Sequence, residues 1–130
     1  KIHKENNKCL LISIHANAFG NTWNEANGWS CYTSRGETIS DEYAKEFYLE
    51  IRNEFPTKKM RTDYVDGDID KEANFYILKH TTCPAVLTEN FFMTNPIECK
   101  LLMSEVGRER IAEAHFKAID KINILNTTPN

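Results

Sequence analysis

Two ionisable residues stand directly after apolar runs that are typical of buried strands. His15 follows the run at 9–14, and Glu89 follows the run at 84–88. In open α/β sheets, ligands bind beyond the carboxyl ends of the strands, so this imidazole and this carboxylate could face one crevice. Such a pair suits a metal ligand beside a general base. The spacing is equally consistent with polar residues that merely end two strands.

The segments around this pair alternate between strand patterns and helix patterns. Nearly every residue in the first apolar run is hydrophobic, as in a strand that is covered on both faces. The strand candidates are 9–14, 28–34, 75–78 and 84–88. Because helices separate them, we predict an α/β fold with three layers (α/β/α), in which helices flank a mostly parallel central sheet.

The first predicted helix spans about 40–54. Ser40 is a candidate N-cap, and the acidic residues that follow it suit the positive end of the helix dipole. Apolar residues then recur every three or four positions, which gives one buried stripe. Pro56 ends this helix because proline cannot continue it.

Two further helices are predicted in the last third of the chain. Asn95 is an N-cap that is followed by proline, and Glu98 at the third position is close to a capping box. Gly107 breaks this helix. The last helix spans about 108–123, and residues 124–130 are expected to form a polar tail.

Composition and charge exclude several classes of protein. The 130 residues make one domain, and 41% hydrophobic with 27% charged residues is an ordinary globular composition. It excludes disordered, collagen-like and coiled-coil chains. Apolar runs of about six residues are far shorter than the roughly 20 that a membrane helix needs, so we expect no membrane span. A net charge of -3 does not favour nucleic acid as a partner.

Neither the cysteines nor the remaining histidines form a recognisable metal motif. The four cysteines contain no CxxC pair, which argues against a zinc ribbon, and they are expected to be buried free thiols. His3, His80 and His115 do not follow apolar strand candidates as His15 does. His115 comes directly after an inward-facing alanine in the last helix, so we expect it on a flank or at the surface.

Three segments resemble the zinc-dependent N-acetylmuramoyl-L-alanine amidases, the family 3 group of cell-wall hydrolases. These segments are SIHANA at 13–18, PAVLTENFFMTN at 84–95 and the stretch from Gly107 to Ala114 that ends in IAEA. They occur in the family's order, and the resemblance covers about 9–120. Members of the family carry E-x-G-F after PAVL, so Phe91 here replaces their usual glycine.

The resemblance implies a reaction and residues that perform it. The reaction is hydrolysis of the amide between N-acetylmuramic acid and the L-alanine of the stem peptide in peptidoglycan. His15 would be a zinc ligand, and Glu89 would be the general base that activates the zinc-bound water. Two further zinc ligands are expected upstream of Lys1, so residues 1–123 would be a catalytic domain that lacks its N-terminal strand and helix.

The resemblance also implies where the protein acts and what else contacts the substrate. Peptidoglycan is the expected partner, at the cell wall in the periplasm or outside the cell. Asn17, Trp29 and Arg61 are candidate substrate-binding residues, and an exposed sheet edge could support a homo-oligomer. Two other functions remain open: a non-catalytic fragment or peptidoglycan-binding module without a competent zinc site, and a different metallohydrolase.

Overall fold

A mixed sheet of four strands forms the centre of the described part of the fold. The computed structural model describes residues 9–34, 38–62, 71–72 and 75–127. Its strands are β1 (Leu11–Asn17), β2 (Trp29–Thr33), β3 (Lys71–Glu72) and β4 (Ala85–Phe92), in the order β1-β4-β2-β3. β1 is parallel to β4, whereas β2 is antiparallel to β4 and parallel to β3. The α/β class is therefore confirmed, with a mixed sheet.

The helices of the described residues are α1 (Ile39–Glu54), α2 (Tyr76–His80), α3 (Pro96–Met103) and α4 (Glu105–Thr127). The long helices α1 and α4 pack against each other and against one face of the sheet. The short helix α2 lies on the other face, where Leu78 packs with Ala85 and Leu87. Described residues thus cover both faces, although the full three-layer arrangement stays a prediction.

The start of α1 differs from the prediction. Thr38 is the N-cap, and it forms a capping box with Asp41. Ser40, predicted as the cap, lies inside the helix, and its Oγ accepts a hydrogen bond from the backbone N–H of Ala85 (3.1 Å). Thr38 is a better N-cap than Ser40 because the side chains of Thr38 and Asp41 each accept a hydrogen bond from a backbone amide at the start of the helix. The predicted end of the helix before Pro56 is confirmed.

The predicted strand at 75–78 is wrong, because this segment forms α2. The backbone N–H of Lys79 donates to the carbonyl oxygen of Phe75 (2.9 Å), which is helical bonding. Leu78 is buried, whereas Tyr76 and Ile77 are exposed. A short apolar run carries no periodicity that separates a strand from a helical turn, so tertiary contacts decide its structure.

The junction of α3 and α4 confirms one predicted signal and corrects two others. Asn95 caps α3, as predicted. The break falls at Ser104, and Gly107 lies inside α4, where a β-carbon would collide with the carbonyl oxygen of Leu101. Glycine is needed here for close packing of the two helices. The helix also continues to Thr127, so the predicted tail is helical up to that residue.

Alternation along β4 determines which of its side chains meet the helices. Val86 packs in the main core with residues of α1 and α4, and Thr88 contacts α4. Leu87 belongs to the smaller cluster on the opposite face. Glu89, two positions further, therefore lies on the face opposite the long helices. This placement puts the carboxylate beside β1 rather than in the main core.

Candidate active site

His15 and Glu89 are direct partners on neighbouring parallel strands. They stand opposite each other in the register of β1 and β4, near the carboxyl ends of both strands. Residues in register on parallel strands share a face of the sheet, so both side chains emerge on the same side. The predicted meeting of this imidazole and this carboxylate is therefore present in the fold.

The imidazole of His15 is exposed and held by a neighbouring hydroxyl. Its Nε2 lies 2.7 Å from the Oγ of Ser13, two residues earlier on the same face of β1. This contact fixes the ring relative to the strand. The hydrogen bond uses one ring nitrogen and defines the orientation of the other.

The carboxylate of Glu89 is partly removed from water. Its Oε2 is buried and has no hydrogen-bond partner among the described residues. Burial raises the pKa of Glu89 above its usual value, and the nearby His15 opposes that rise to a smaller extent. A carboxylate with a raised pKa and an unpaired oxygen is suited to accept a proton, as a general base does.

An irregularity in β4 follows Glu89 directly. From His15 to Asn17 β1 advances two residues, while β4 advances three residues to Phe92. Phe91 has a left-handed backbone with φ of +65°. This is a bulge of the kind in which glycine usually takes the left-handed position, and such bulges often redirect side chains beside active sites. The departure from the family's glycine therefore falls at the bulge residue itself.

Trp29 lies in the core, so its predicted role as a substrate-binding residue is wrong. Its side chain is 1% exposed, and its Nε1 donates to the Oδ1 of Asn90 (2.8 Å). An aromatic residue at strand spacing packs inward whenever helices cover that face. Here α1 and α4 cover it.

Asn17 and Arg61 lie at the same end of the sheet as the site. The Oδ1 of Asn17 accepts from the backbone N–H of Ala18 (2.8 Å). The guanidinium of Arg61 stacks 5.2 Å from the ring centroid of Phe92, and its Nη1 donates to the carbonyl oxygen of Asn27 (3.2 Å). Substrate contact by Asn17 and Arg61 stays a prediction.

Glu98 has a role that the sequence pattern did not reveal. It is 2% exposed, and its two oxygens accept from the backbone N–H groups of Gly28 (2.9 Å) and Phe92 (2.8 Å). It therefore joins the start of β2 to the end of β4. The capping-box pattern in the sequence predicted that Glu98 bonds the backbone at the start of its own helix. In the structure one partner, Gly28, is distant in the chain, and the other, Phe92, precedes the helix.

His115 is also placed differently from its prediction. It is 3% exposed, and its ring nitrogens contact Thr88 and the backbone of Ile111. Burial lowers the pKa of His115, although the hydrogen bond to the Ile111 carbonyl opposes this effect. The residue is buried because the helix packs closely on β4, which the spacing of α4 alone does not specify.

The cysteine prediction is confirmed only in part. No disulfide joins the four cysteines, all of which lie among the described residues. Cys31 is buried, whereas Cys9, Cys83 and Cys99 are partly exposed. The prediction that all four thiols are buried is therefore wrong for Cys9, Cys83 and Cys99.

A catalytic zinc requires more ligands than the described site supplies. Such zinc ions have three protein ligands and one open position. Within 9–34, 38–62, 71–72 and 75–127, no group of three histidine, cysteine, aspartate or glutamate residues could hold a metal ion. His15 provides one suitable nitrogen beside the carboxylate of Glu89. These residues do not fit a complete zinc site by themselves.

Comparison with known proteins identifies the family to which this chain belongs. The family model described as N-acetylmuramoyl-L-alanine amidase matches residues 1–121. The chain belongs to this amidase family. Within the family, the chain is 33% identical to an uncharacterized cell wall amidase of Bacillus anthracis over 118 residues, which are 89% of this chain and 21% of that protein.

Two other relatives support the same assignment. The chain is 32% identical to the N-acetylmuramoyl-L-alanine amidase CwlM of Bacillus licheniformis over 109 residues, covering 84% of this chain and 38% of that protein. The CwlD amidase of Clostridioides difficile, solved in complex with the GerS lipoprotein, matches with a TM-score of 0.77 and 28% identity. That match covers 95% of this chain and 59% of the solved one. The chain thus spans between about a fifth and three fifths of these amidases.

No helix among the described residues has both the length and the apolar character that crossing a membrane requires.

Proposed function

We propose that this chain carries catalytic residues of a peptidoglycan amidase, which hydrolyses the amide between N-acetylmuramic acid and the L-alanine of the stem peptide. The observation that carries the proposal is the pairing of His15 and Glu89 in register near the carboxyl ends of two parallel strands. Membership of the amidase family and the name of the Bacillus licheniformis relative, an N-acetylmuramoyl-L-alanine amidase, support this choice of reaction.

Glu89 is the proposed general base. Its buried Oε2 takes a proton from the attacking water as the water oxygen bonds to the amide carbonyl carbon. The same carboxyl group then returns the proton to the leaving nitrogen, and the carbon–nitrogen bond breaks. The products are a free carboxyl group on the lactyl group and a new amino terminus on L-alanine.

His15 is the proposed ligand for the zinc that the family resemblance implies. Its imidazole is exposed near the end of β1, where a ligand can approach it. The two further ligands expected from the resemblance stay a prediction. Substrate contact through Asn17 and Arg61 belongs to the same proposal, because both lie at this end of the sheet.

The proposed site of action is the cell wall, in the periplasm or outside the cell, where peptidoglycan is found. The name of the Bacillus anthracis relative, a cell wall amidase, supports this location. A homo-oligomer formed through the sheet edge also stays a prediction. Within the described residues, β1 lies at one edge of the sheet, where such pairing could occur.

The test is digestion of purified peptidoglycan sacculi by the zinc-supplemented protein. Mass spectrometry should find released stem peptides with a free amino-terminal L-alanine. Glu89→Gln should lower the rate by about 10²- to 10⁴-fold, the usual contribution of a general base. The matched control is Glu109→Gln, which removes an exposed carboxylate on α4 and should leave the rate unchanged.

Three outcomes would overturn the proposal. Retention of full activity by Glu89→Gln would exclude the assigned base. Sedimentation of the wild-type protein with sacculi, without any peptide release after zinc loading, would favour a peptidoglycan-binding module without a competent zinc site. Cleavage of a different bond in the same digest would instead indicate another hydrolase.

A further inference from the structure

The side chain of Asn90 is the centre of a buried hydrogen-bond network that ends at the candidate site. Its Nδ2 donates to the carbonyl oxygen of His15 (2.9 Å) and to the Oγ1 of Thr88 (3.0 Å). Its Oδ1 accepts from the indole N–H of Trp29 (2.8 Å). Asn90 is 2% exposed, so water competes little for these bonds. Three hydrogen bonds thus fix the amide in one orientation.

The donor and acceptor roles in this network are all determined. A reversed amide would place the Oδ1 of Asn90 against another carbonyl oxygen, which has no proton to donate. The carbonyl oxygen of Ile111 can only accept, so the Nδ1 of His115 carries a proton and donates to it (2.8 Å). In the neutral imidazole the Nε2 of His115 is then an acceptor, and the hydroxyl of Thr88 donates to it (2.9 Å). A continuous series of hydrogen bonds therefore joins α4 to the backbone of His15.

The bond to His15 lies where the backbone register between the strands shifts. Up to His15 and Glu89 the strands are in register, and beyond them β4 contains one extra residue. The side chain of Asn90 crosses this irregularity and joins β4 to the carbonyl group of His15. Since Asn90 directly follows Glu89, this bond limits how far the two candidate residues can move apart.

We infer that Asn90 is a positioning residue, which holds the backbone of His15 at a fixed distance from Glu89. The catalytic consequence of this role rests on the proposed amidase function. The role itself is a property of the fold, since it follows from the bond across the bulge. Misplacement of reacting groups by about 1 Å can lower a rate about 100-fold, so loss of this bond should reduce catalysis more than it reduces the amount of folded protein.

Asn90→Leu and Thr88→Val form a matched pair for the kinetic test. Both changes are close in shape, and each removes one or more buried hydrogen bonds from the same network. Only Asn90→Leu removes the donor to His15. We expect its kcat on muropeptides to fall about 100-fold with KM within about threefold of wild type. Thr88→Val should be less stable than wild type, but its kcat should stay within about threefold of the wild-type value. Both variants are assayed under conditions in which they are fully folded.

Two NMR measurements test the positioning role independently of activity. In the wild-type protein, a scalar coupling across the hydrogen bond should link the Nδ2 of Asn90 to the carbonyl carbon of His15. In Asn90→Leu, the imidazole ¹⁵N resonances of His15 should change in chemical shift or split into several signals. In Thr88→Val, their chemical shifts should stay close to the wild-type values. If Asn90→Leu does not fold, Asn90→Ala and the wild-type coupling provide the same test.

The outcomes separate the positioning role from the proposed function. An inactive wild-type protein with the coupling and the His15 response intact would overturn the amidase assignment and support the positioning role. Equal effects of Asn90→Leu and Thr88→Val on kcat and on the His15 resonances would overturn the positioning role. Absence of the wild-type coupling would also overturn it.

Discussion

Phe91 combines a strained backbone with a fully buried ring, and its substitution provides the sharpest test of the bulge beside Glu89. Its φ of +65° lies in the left-handed region, and its side chain is 0% exposed. The ring packs edge-on against Phe55, with centroids 5.1 Å apart. Replacement by alanine removes the ring and keeps the strain, whereas replacement by glycine removes both.

The expected magnitudes follow from these two features. Loss of a buried phenylalanine ring costs about 3–5 kcal/mol, so both variants should be less stable than wild type. A left-handed backbone costs a non-glycine residue about 1–2 kcal/mol. Glycine at position 91 avoids this cost, but its greater conformational freedom in the unfolded chain offsets about 0.5–1 kcal/mol of the resulting stabilisation. Phe91→Gly should therefore be more stable than Phe91→Ala, by up to about 1.5 kcal/mol.

Urea unfolding followed by far-UV circular dichroism measures this difference. Measurement at about 15 °C, near the usual temperature of maximum stability, helps to keep destabilised variants folded. Phe47 is the matched control, because it is equally buried but lies in the helix α1. There glycine should be about 1 kcal/mol less stable than alanine, the reverse order. Alanine above glycine at both positions would refute the argument that Phe91 is strained.

Two other predictions concern buried polar residues. Since burial lowers the pKa of His115 in the folded state, the unfolded chain takes up a proton first as pH falls below 6.5, and stability is lost in that range. His115→Gln lacks this titration, so the difference between its free energy of unfolding and that of wild type should shrink as pH falls from about 8 to about 5. A difference that stays constant over this pH range in urea titrations would contradict the prediction. Glu98→Ala leaves the amides of Gly28 and Phe92 unsatisfied, which should cost about 2–5 kcal/mol, against about 1–3 kcal/mol for Glu98→Gln. A loss below about 1 kcal/mol for Glu98→Ala would show that water replaces the carboxylate.

Much of the fold is predictable from local patterns. Strands form at the apolar runs before His15 and Glu89, although both strands continue past these residues, to Asn17 and Phe92, and Asn95 caps a helix as predicted. These signals depend on hydrophobic runs and on side chains that bond their own neighbours. Signals that depend on distant contacts are less reliable. Gly107 marks a close approach between helices rather than a helix end, and the run at 75–78 became helical.

The candidate site shows the same division between local and tertiary information. The sequence by itself determined that His15 and Glu89 each follow an apolar run that forms a strand, because an apolar run followed by a polar residue is a local pattern. Only the tertiary structure decided that they are in register, that burial raises the pKa of Glu89, and that Asn90 holds the strands together. Register, burial and hydrogen bonds between distant residues depend on how strands pair and which face the helices cover. Those properties belong to the assembled sheet rather than to any one segment.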